Sequence, residues 1–248
     1  MSAARSVAFA PMRDAEEHER TADAFLEAAY RDETVLDGAG ARVDLFPHSV
    51  DRAAGEALRE LARAEAAQRT IEVGLALGLS AVFLGQAVLE RGGRHVAIDP
   101  FQQESWNGAG LRTLRDAGLG EVVEVIEEES QLALPRLVSE GREFDLGFID
   151  GDHRFEGVFL DLYYMTRLVR PGGAIVVDDM WMPAVRMAVA YVERNLGATL
   201  EPKALPGGFR WRRRMFGRGV PRGSGEMALV RLPSERRELR WDEFVAPC

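Results

Sequence analysis

From Thr70 onward, short apolar runs alternate with amphipathic helical stretches along most of the remaining chain. The runs cover residues 70–74, 95–99, 122–126, 144–150 and 173–178, and helices are expected to begin near Gly78, Gly108, Ser130, Phe155 and Pro183. Each run is short and most are rich in Val and Ile, which reads as strand rather than core helix. Strands joined through crossover helices lie parallel, and right-handed crossovers repeated in series build a doubly wound sheet. The expected fold is therefore α/β: a Rossmann-like, mostly parallel sheet with helices on both faces.

The rest of the chain departs from this rhythm. Pro171-Gly172-Gly173 reads as a turn that delivers the fifth strand. After Leu196 the alternation stops, and two further strands, around 209–216 and 226–232, are expected to flank a Gly/Pro/Arg loop as an antiparallel edge. Ahead of the first strand, residues 14–31 read as an amphipathic helix with Ala22, Phe25, Leu26 and Ala29 on one face. A second helix is expected to start at an N-cap Ser49, with Asp51 in its first turn and Ala53, Ala57, Leu58 and Leu61 buried. The chain thus divides into a helical cap or lid, 1–68, and a ligand-binding Rossmann-like domain, 69–248.

Composition excludes several alternatives. The uncharged run 73–89 approaches membrane-spanning length, but Gly74, Gly78 and Gly85 and its strand-like opening mark a buried strand–turn–helix, so no membrane segment is expected. The first twenty residues hold no apolar stretch of signal-peptide length. A net charge of −9 disfavours nucleic acid as a partner, because phosphate affinity rests on accumulated Lys and Arg. One cysteine, Cys248, cannot form an intrachain disulfide, which fits a reducing cytoplasm.

In a doubly wound sheet, ligands bind beyond the carboxyl ends of the strands, near the point where strand order reverses. The first strand runs into Glu72-Val73-Gly74-Leu75-Ala76-Leu77-Gly78-Leu79-Ser80. Small residues at Gly74, Ala76 and Gly78 let the backbone turn tightly and approach a ligand. Asp99 closes the second strand, where its carboxylate can accept from both hydroxyls of a ribose. A nicotinamide dinucleotide fits less well, since its fingerprint would need glycine at Ala76 and Leu79. Ser130, after the third strand, is placed either to cap the next helix or to meet an adenine edge.

The fourth strand ends in Asp150-Gly151-Asp152-His153 and the fifth in Asp178-Asp179. Adjacent parallel strands would present these carboxylates together, and like charges held so close call for a cation. An all-carboxylate set of Asp150, Asp178 and Asp179 suits a hard ion such as Mg²⁺. His153 lies three residues past Asp150; a neutral imidazole there can take a hydroxyl proton once a metal has lowered that hydroxyl's pKa. His153 is thus the expected general base, Asp150 its catalytic neighbour, and Asp152 the reserve.

The pattern E-x-G-x-A-x-G resembles motif I of the class I S-adenosylmethionine-dependent methyltransferases. From about Pro47 to Leu196 the chain is similar to their metal-dependent O-methyltransferases. Glu72-Val73-Gly74 with Gly78-Leu79-Ser80 resembles the cofactor loop of the catechol type, and Ser130-Gln131 with Leu134-Pro135 its adenine-contacting segment. Asp-Gly-Asp-His and the following Asp-Asp look closer to the macrocin and mycinamicin sugar O-methyltransferases of antibiotic biosynthesis. The resemblance implies S-adenosylmethionine held by Glu72, Gly74, Ala76, Gly78, Ser80, Asp99, Ser130 and Asp150, with Mg²⁺ on Asp150, Asp178 and Asp179 and His153 as base. It also implies a homodimer. Catechol-type enzymes carry lysine at the His153 position, which points towards a sugar or other secondary metabolite as acceptor. Two other readings stay open: a metal-independent N- or O-methyltransferase, and a non-catalytic scaffold on the same fold.

Other residues bear on the acceptor. Phe101 and Trp106 either flank the adenine and cover the pocket or belong to the core. His48 is expected to stay outside the site unless the N-terminal part closes as a lid. Six arginines between 210 and 222, with no acid among them, form a local positive patch suited to an acidic substrate.

Overall fold

The structure, a computed structural model, describes residues 15–201 and 227–247. Helix α1 (Ala15–Asp32) leads into a hairpin of β1 (Thr34–Leu36) and β2 (Arg42–Asp44), then α2 (Arg52–Ala64). The alternating body follows: β3 (Arg69–Val73), α3 (Leu79–Leu89), β4 (Arg94–Ile98), α4 (Ala109–Asp116), β5 (Val123–Ile126), α5 (Ser130–Ser139), β6 (Phe144–Ile149), α6 (Phe155–Leu168) and β7 (Val169–Val177). It closes with α7 (Pro183–Leu196), β8 (Thr199–Glu201) and β9 (Ala228–Arg231). Seven strands form one sheet in the order β5-β4-β3-β6-β7-β9-β8, parallel from β5 to β7 and antiparallel at β9 and β8. This is the expected Rossmann-like architecture.

Four of the five expected parallel strands agree with the observed ones to within one residue at each end. The residues that fall off their ends, Gly74, Asp99 and Asp150, are those that turn into the crevice. The fifth differs more. Phe144 pairs with Val169 but Leu146 pairs with Ala174, so Pro171-Gly172-Gly173 is a bulge inside a long β7 and not a turn ahead of it. At the carboxyl edge, β9 lies between β7 and β8, and the short edge strand β8 went unforeseen. The strand expected at 209–216, the arginine patch and Cys248 lie outside the described residues.

Both faces of the sheet are covered. Ile71, Val73, Val96 and Ile98 pack towards α5, α6 and α7, while Ala97, Leu146 and Phe148 face the layer of α1, α2 and α3. Helix α3 is wedged between the sheet and α1 and α2, and all its residues from Leu79 to Leu89 are buried. That burial explains the long uncharged run, since each enclosed Leu or Phe contributes about 1.5–3 kcal/mol. No helix among the described residues is long and apolar enough to cross a membrane.

The N-terminal helices belong to the same core, with Ala22, Leu26 and Leu58 in one cluster with Leu146 and Phe148. Gln86 of α3 ties them together: it accepts from Arg59 of α2 at 3.2 Å and donates to Asp23 of α1 at 2.8 Å. Helix α2 is capped by Asp51, whose carboxylate accepts from the Ala54 amide at 2.7 Å, and not by Ser49. Its buried face accordingly carries Ala54, Ala57, Leu58 and Leu61, with Ala53 exposed. Strand order reverses between β3 and β6, so the crevice opens beyond their carboxyl ends.

Candidate active site

At the end of β3 the chain crosses directly over the end of β6. Gly74 has φ +99°, and a Cβ there would lie 2.0 Å from the Asp150 carbonyl oxygen, so only glycine fits. The following turn is held by Asp99, which is buried. Its Oδ2 accepts from the Ala76 amide at 2.7 Å and the Gln102 side chain at 3.1 Å, and its Oδ1 accepts from the Phe101 amide at 2.8 Å. Gln102 also donates to the Ala76 carbonyl at 2.9 Å. Asp99 therefore shapes the turn itself, a use its place at a strand end does not reveal.

Two cavities meet at this point. One, of about 390 Å³, is bordered by Asp99, Phe101, Ser130 and Gln131; the other, of about 420 Å³, by Pro47, His48, Ser80, Asp178, Asp179 and Trp181. Gly74, Ala76, Trp106, Asp150, Gly151 and His153 border both, so the two are lobes of one crevice of ligand size.

Of the residues expected to hold a cofactor, Gly74, Ala76, Ser80, Asp99, Ser130 and Asp150 border the crevice. Glu72 and Gly78 do not. Glu72 is fully buried, with Oε1 3.4 Å from Nε2 of His95, whose Nδ1 is bonded to the Thr70 hydroxyl at 2.8 Å. Gly78 packs on α4: a Cβ there would sit 3.1 Å from the Gly110 carbonyl oxygen. Ser130 opens α5 as its first residue instead of capping it, the cap position falling to Glu129. Behind Ser130, Asp161 of α6 is fully enclosed, and burial pushes its carboxyl up to about 6, offset only in part by the Ser130 hydroxyl.

The acidic residues converge as the strand ends require. Ile149 pairs with Val177, so Asp150 and Asp178 leave neighbouring strands side by side. His153 Nε2 lies 2.7 Å from Asp179 Oδ2 and 3.6 Å from Asp150 Oδ1. One donor atom from each of Asp150, His153 and Asp179 falls within 4.8 Å of the others. Asp178 is not in that set of three; its Oδ1 accepts the Asp179 amide at 2.7 Å, while its side chain still borders the crevice. Asp179 has φ +56° and its Oδ1 accepts the Trp181 indole N–H at 2.6 Å. The reserve base Asp152 is instead ion-paired with Arg154 at 2.8 Å, which holds its carboxyl below the usual range.

The charges of this cluster do not balance. Burial, followed by repulsion from Asp150, pushes Asp178 up to about 8, and burial likewise raises Asp150. Hydrogen bonds to Asp150 and to Asp179, the nearer by distance, raise the His153 imidazole to about 10 and lower Asp179. Among the described residues, three carboxyl groups thus share one imidazolium. A divalent cation suits this donor set: it would relieve the repulsion that burial imposes, and carboxylate oxygens are the ligands a hard ion prefers.

His48 lies in the crevice, contrary to expectation, and no lid closure is needed to bring it there. The Tyr30 hydroxyl donates to the Val50 carbonyl at 3.0 Å, fixing the segment before α2. The hairpin reaches the other wall, where Asn107 donates to Asp37 at 2.7 Å. His48 and Trp106 meet edge to face, with centroids 5.3 Å apart. Sequence assigns no role to Gln102 or Trp181; Trp181, two residues past the acidic pair at a strand end, carries the only local signal.

Known proteins match this chain across the same region. A family profile described as methyltransferase domain matches residues 71–180. Catechol O-methyltransferase of Mycobacterium tuberculosis is 33% identical over 162 residues, covering 64% of this chain and 70% of that protein. Tricin synthase 1 of Oryza sativa subsp. japonica is 36% identical over 128 residues, 49% of each. The chain spans about half the length of the first curated relatives it matches. In fold, an O-methyltransferase from Bacillus cereus, solved in complex with SAH, superposes with a TM-score of 0.60 at 20% identity, over 86% of this chain and 90% of that one.

Proposed function

We propose that this chain, which belongs to the class I S-adenosylmethionine-dependent O-methyltransferase family, methylates a hydroxyl of a small molecule, a sugar or other secondary metabolite, with Mg²⁺ at Asp150 and Asp179. The observation that carries this reading is the convergence of Asp150, His153 and Asp179 within 4.8 Å where the two lobes meet. The lobe bordered by Asp99 and Ser130 suits an adenosine, with Asp99 keeping acceptor capacity for a ribose hydroxyl beyond its three internal donors. Gly74 lets the turn close over the Asp150 backbone at the junction of the two lobes, both of which it borders.

S-adenosylmethionine would supply an activated methyl group, and a divalent cation would lower the pKa of the acceptor hydroxyl. Asp150 and Asp179 would hold that cation, with Asp178 fixing the Asp179 backbone. His153 borders both lobes; with Asp150 and Asp179 engaged by a cation it would lose the contacts that raise it to about 10, leaving a neutral imidazole to take the hydroxyl proton. His48, Trp106 and Trp181 wall the acceptor lobe and orient the hydroxyl, since methyl transfer to oxygen depends above all on alignment.

Turnover should fall at least about a hundredfold in EDTA and return with excess Mg²⁺, measured as S-adenosylhomocysteine released over a panel of hydroxylated acceptors. A second reading, a metal-independent methyltransferase acting on nitrogen or oxygen, is supported by the 2.7 Å contact through which His153 already satisfies Asp179. Activity untouched by EDTA would favour it.

A further inference from the structure

Trp181 sits two residues beyond Asp179 with 45% of its surface exposed, although tryptophan usually buries its ring. Its polar end has a definite partner: the indole N–H donates to Asp179 Oδ1 at 2.6 Å, while Asp179 Oδ2 faces His153 at 2.7 Å. The segment is braced from behind. Arg186 donates to the carbonyls of Met180 at 3.0 Å and Trp181 at 2.5 Å, and the Met182 amide donates to the Asp179 carbonyl at 2.8 Å. Asp178 holds the Asp179 amide, and Asp179 itself keeps a left-handed φ of +56°. A residue in that conformation is retained only where its surroundings over-determine it.

We propose that Trp181 is a positioning residue: by occupying one carboxylate oxygen of Asp179, it presents the other as a single-oxygen ligand to a divalent cation shared with Asp150. The inference rests on the metal-dependent reading above. A carboxylate free to rotate beside a cation can swing to grip it through both oxygens. Mg²⁺ demands near-octahedral geometry at short distance and tolerates that poorly, whereas Ca²⁺ accepts two-oxygen carboxylates readily. Hydrogen bonds from outside the coordination shell commonly decide such orientation. The imidazole of His153 cannot serve instead, because its contact is to Oδ2, the oxygen that the proposal assigns to the cation.

Trp181→Phe keeps a ring in place and removes the donor. Mn²⁺, Mg²⁺ and Ca²⁺ would be titrated calorimetrically into the full chain, wild type and variant, with binding of S-adenosylhomocysteine as the check that the variant is folded. The expected result is Mn²⁺ and Mg²⁺ affinity lower by about tenfold, Ca²⁺ affected less, and cofactor affinity unchanged. The shift in preference towards Ca²⁺ is the readout that a merely structural role would not produce. Equal binding of Mn²⁺ by both proteins, or equal weakening of all three ions, overturns the positioning role alone. Should wild type bind none of the ions, the metal-dependent reading falls and takes this inference with it. Trp181→Leu, lacking both ring and donor, should repeat the Phe result; if Leu lowers Mg²⁺ affinity and Phe does not, the ring rather than the N–H matters and the proposal is overturned.

Discussion

Asp99 and Asp150 each follow a strand paired with β3, yet their carboxylates stand in opposite circumstances. Asp99 receives three hydrogen bonds from its own chain and shapes the turn at Ala76. Asp150 faces Asp178 and Asp179 with a single imidazole between them, and burial raises both its own pKa and that of Asp178. In one half of the crevice the carboxylate is held by hydrogen bonds from its own chain. In the other, carboxyl groups outnumber the one imidazole that meets them among the described residues, and perturbed groups of this kind gather where chemistry is done.

The largest expected effect separates these halves. His153→Gln should lower turnover by roughly a thousandfold, the usual scale for a lost general base, with cofactor affinity unchanged by calorimetry. A collapse of cofactor affinity would show that the two halves are one. Gly74→Ala should act at their junction, because its Cβ would land 2.0 Å from the Asp150 carbonyl oxygen at φ +99°. Overpacking together with that strain costs on the order of 3 kcal/mol. Denaturant unfolding should register the loss, and affinity for S-adenosylhomocysteine should fall roughly tenfold to a hundredfold. Wild-type affinity in this variant would mean that the turn can shift without touching the cofactor lobe.

How far sequence could reach follows the same division. The parallel strands and the helices after them were legible because burial on both faces leaves continuous apolar runs, with small residues marking the turns. Asp150, Asp178, Asp179 and His153 were legible because strand ends bring them together by topology alone. What sequence could not show was every partner set by distant packing. Sequence does not reveal that β4 places His95 beside the buried Glu72, or that α4 brings Gly110 against Gly78. His48 is separated from Trp106 by most of the first strands and helices, yet the hairpin and α2 dock onto the same wall. Strand β8 is too short to show any period, whereas β9 lies within the strand expected at 226–232. For α2, Ser49 and Asp51 were both chemically adequate caps, and only backbone geometry chose between them.

Asp161 extends the contrast to a carboxylate that no ion can reach. It is fully enclosed, and among the described residues neither oxygen has a hydrogen-bond partner at ordinary distance, although the Ser130 hydroxyl offsets part of the burial. Its pKa is pushed up to about 6, above the ordinary carboxylate value, so the folded state prefers the proton. Below about pH 3 the folded and unfolded chains both carry that proton, and Asp161 costs nothing. As pH rises towards 6 the unfolded chain releases it first, and stability falls; above that range the loss levels off at up to about 3 kcal/mol. Asparagine keeps the shape and cannot ionise. Asp161→Asn should therefore be more stable than wild type at pH 8 by up to about 3 kcal/mol, with the difference shrinking to near zero by about pH 3, as followed by urea unfolding. Turnover should change least of all the variants, because Asp161 borders neither lobe. A stability difference independent of pH would mean that Asp161 is paired more fully than its enclosure implies, and that the imbalance of charge is confined to the strand ends.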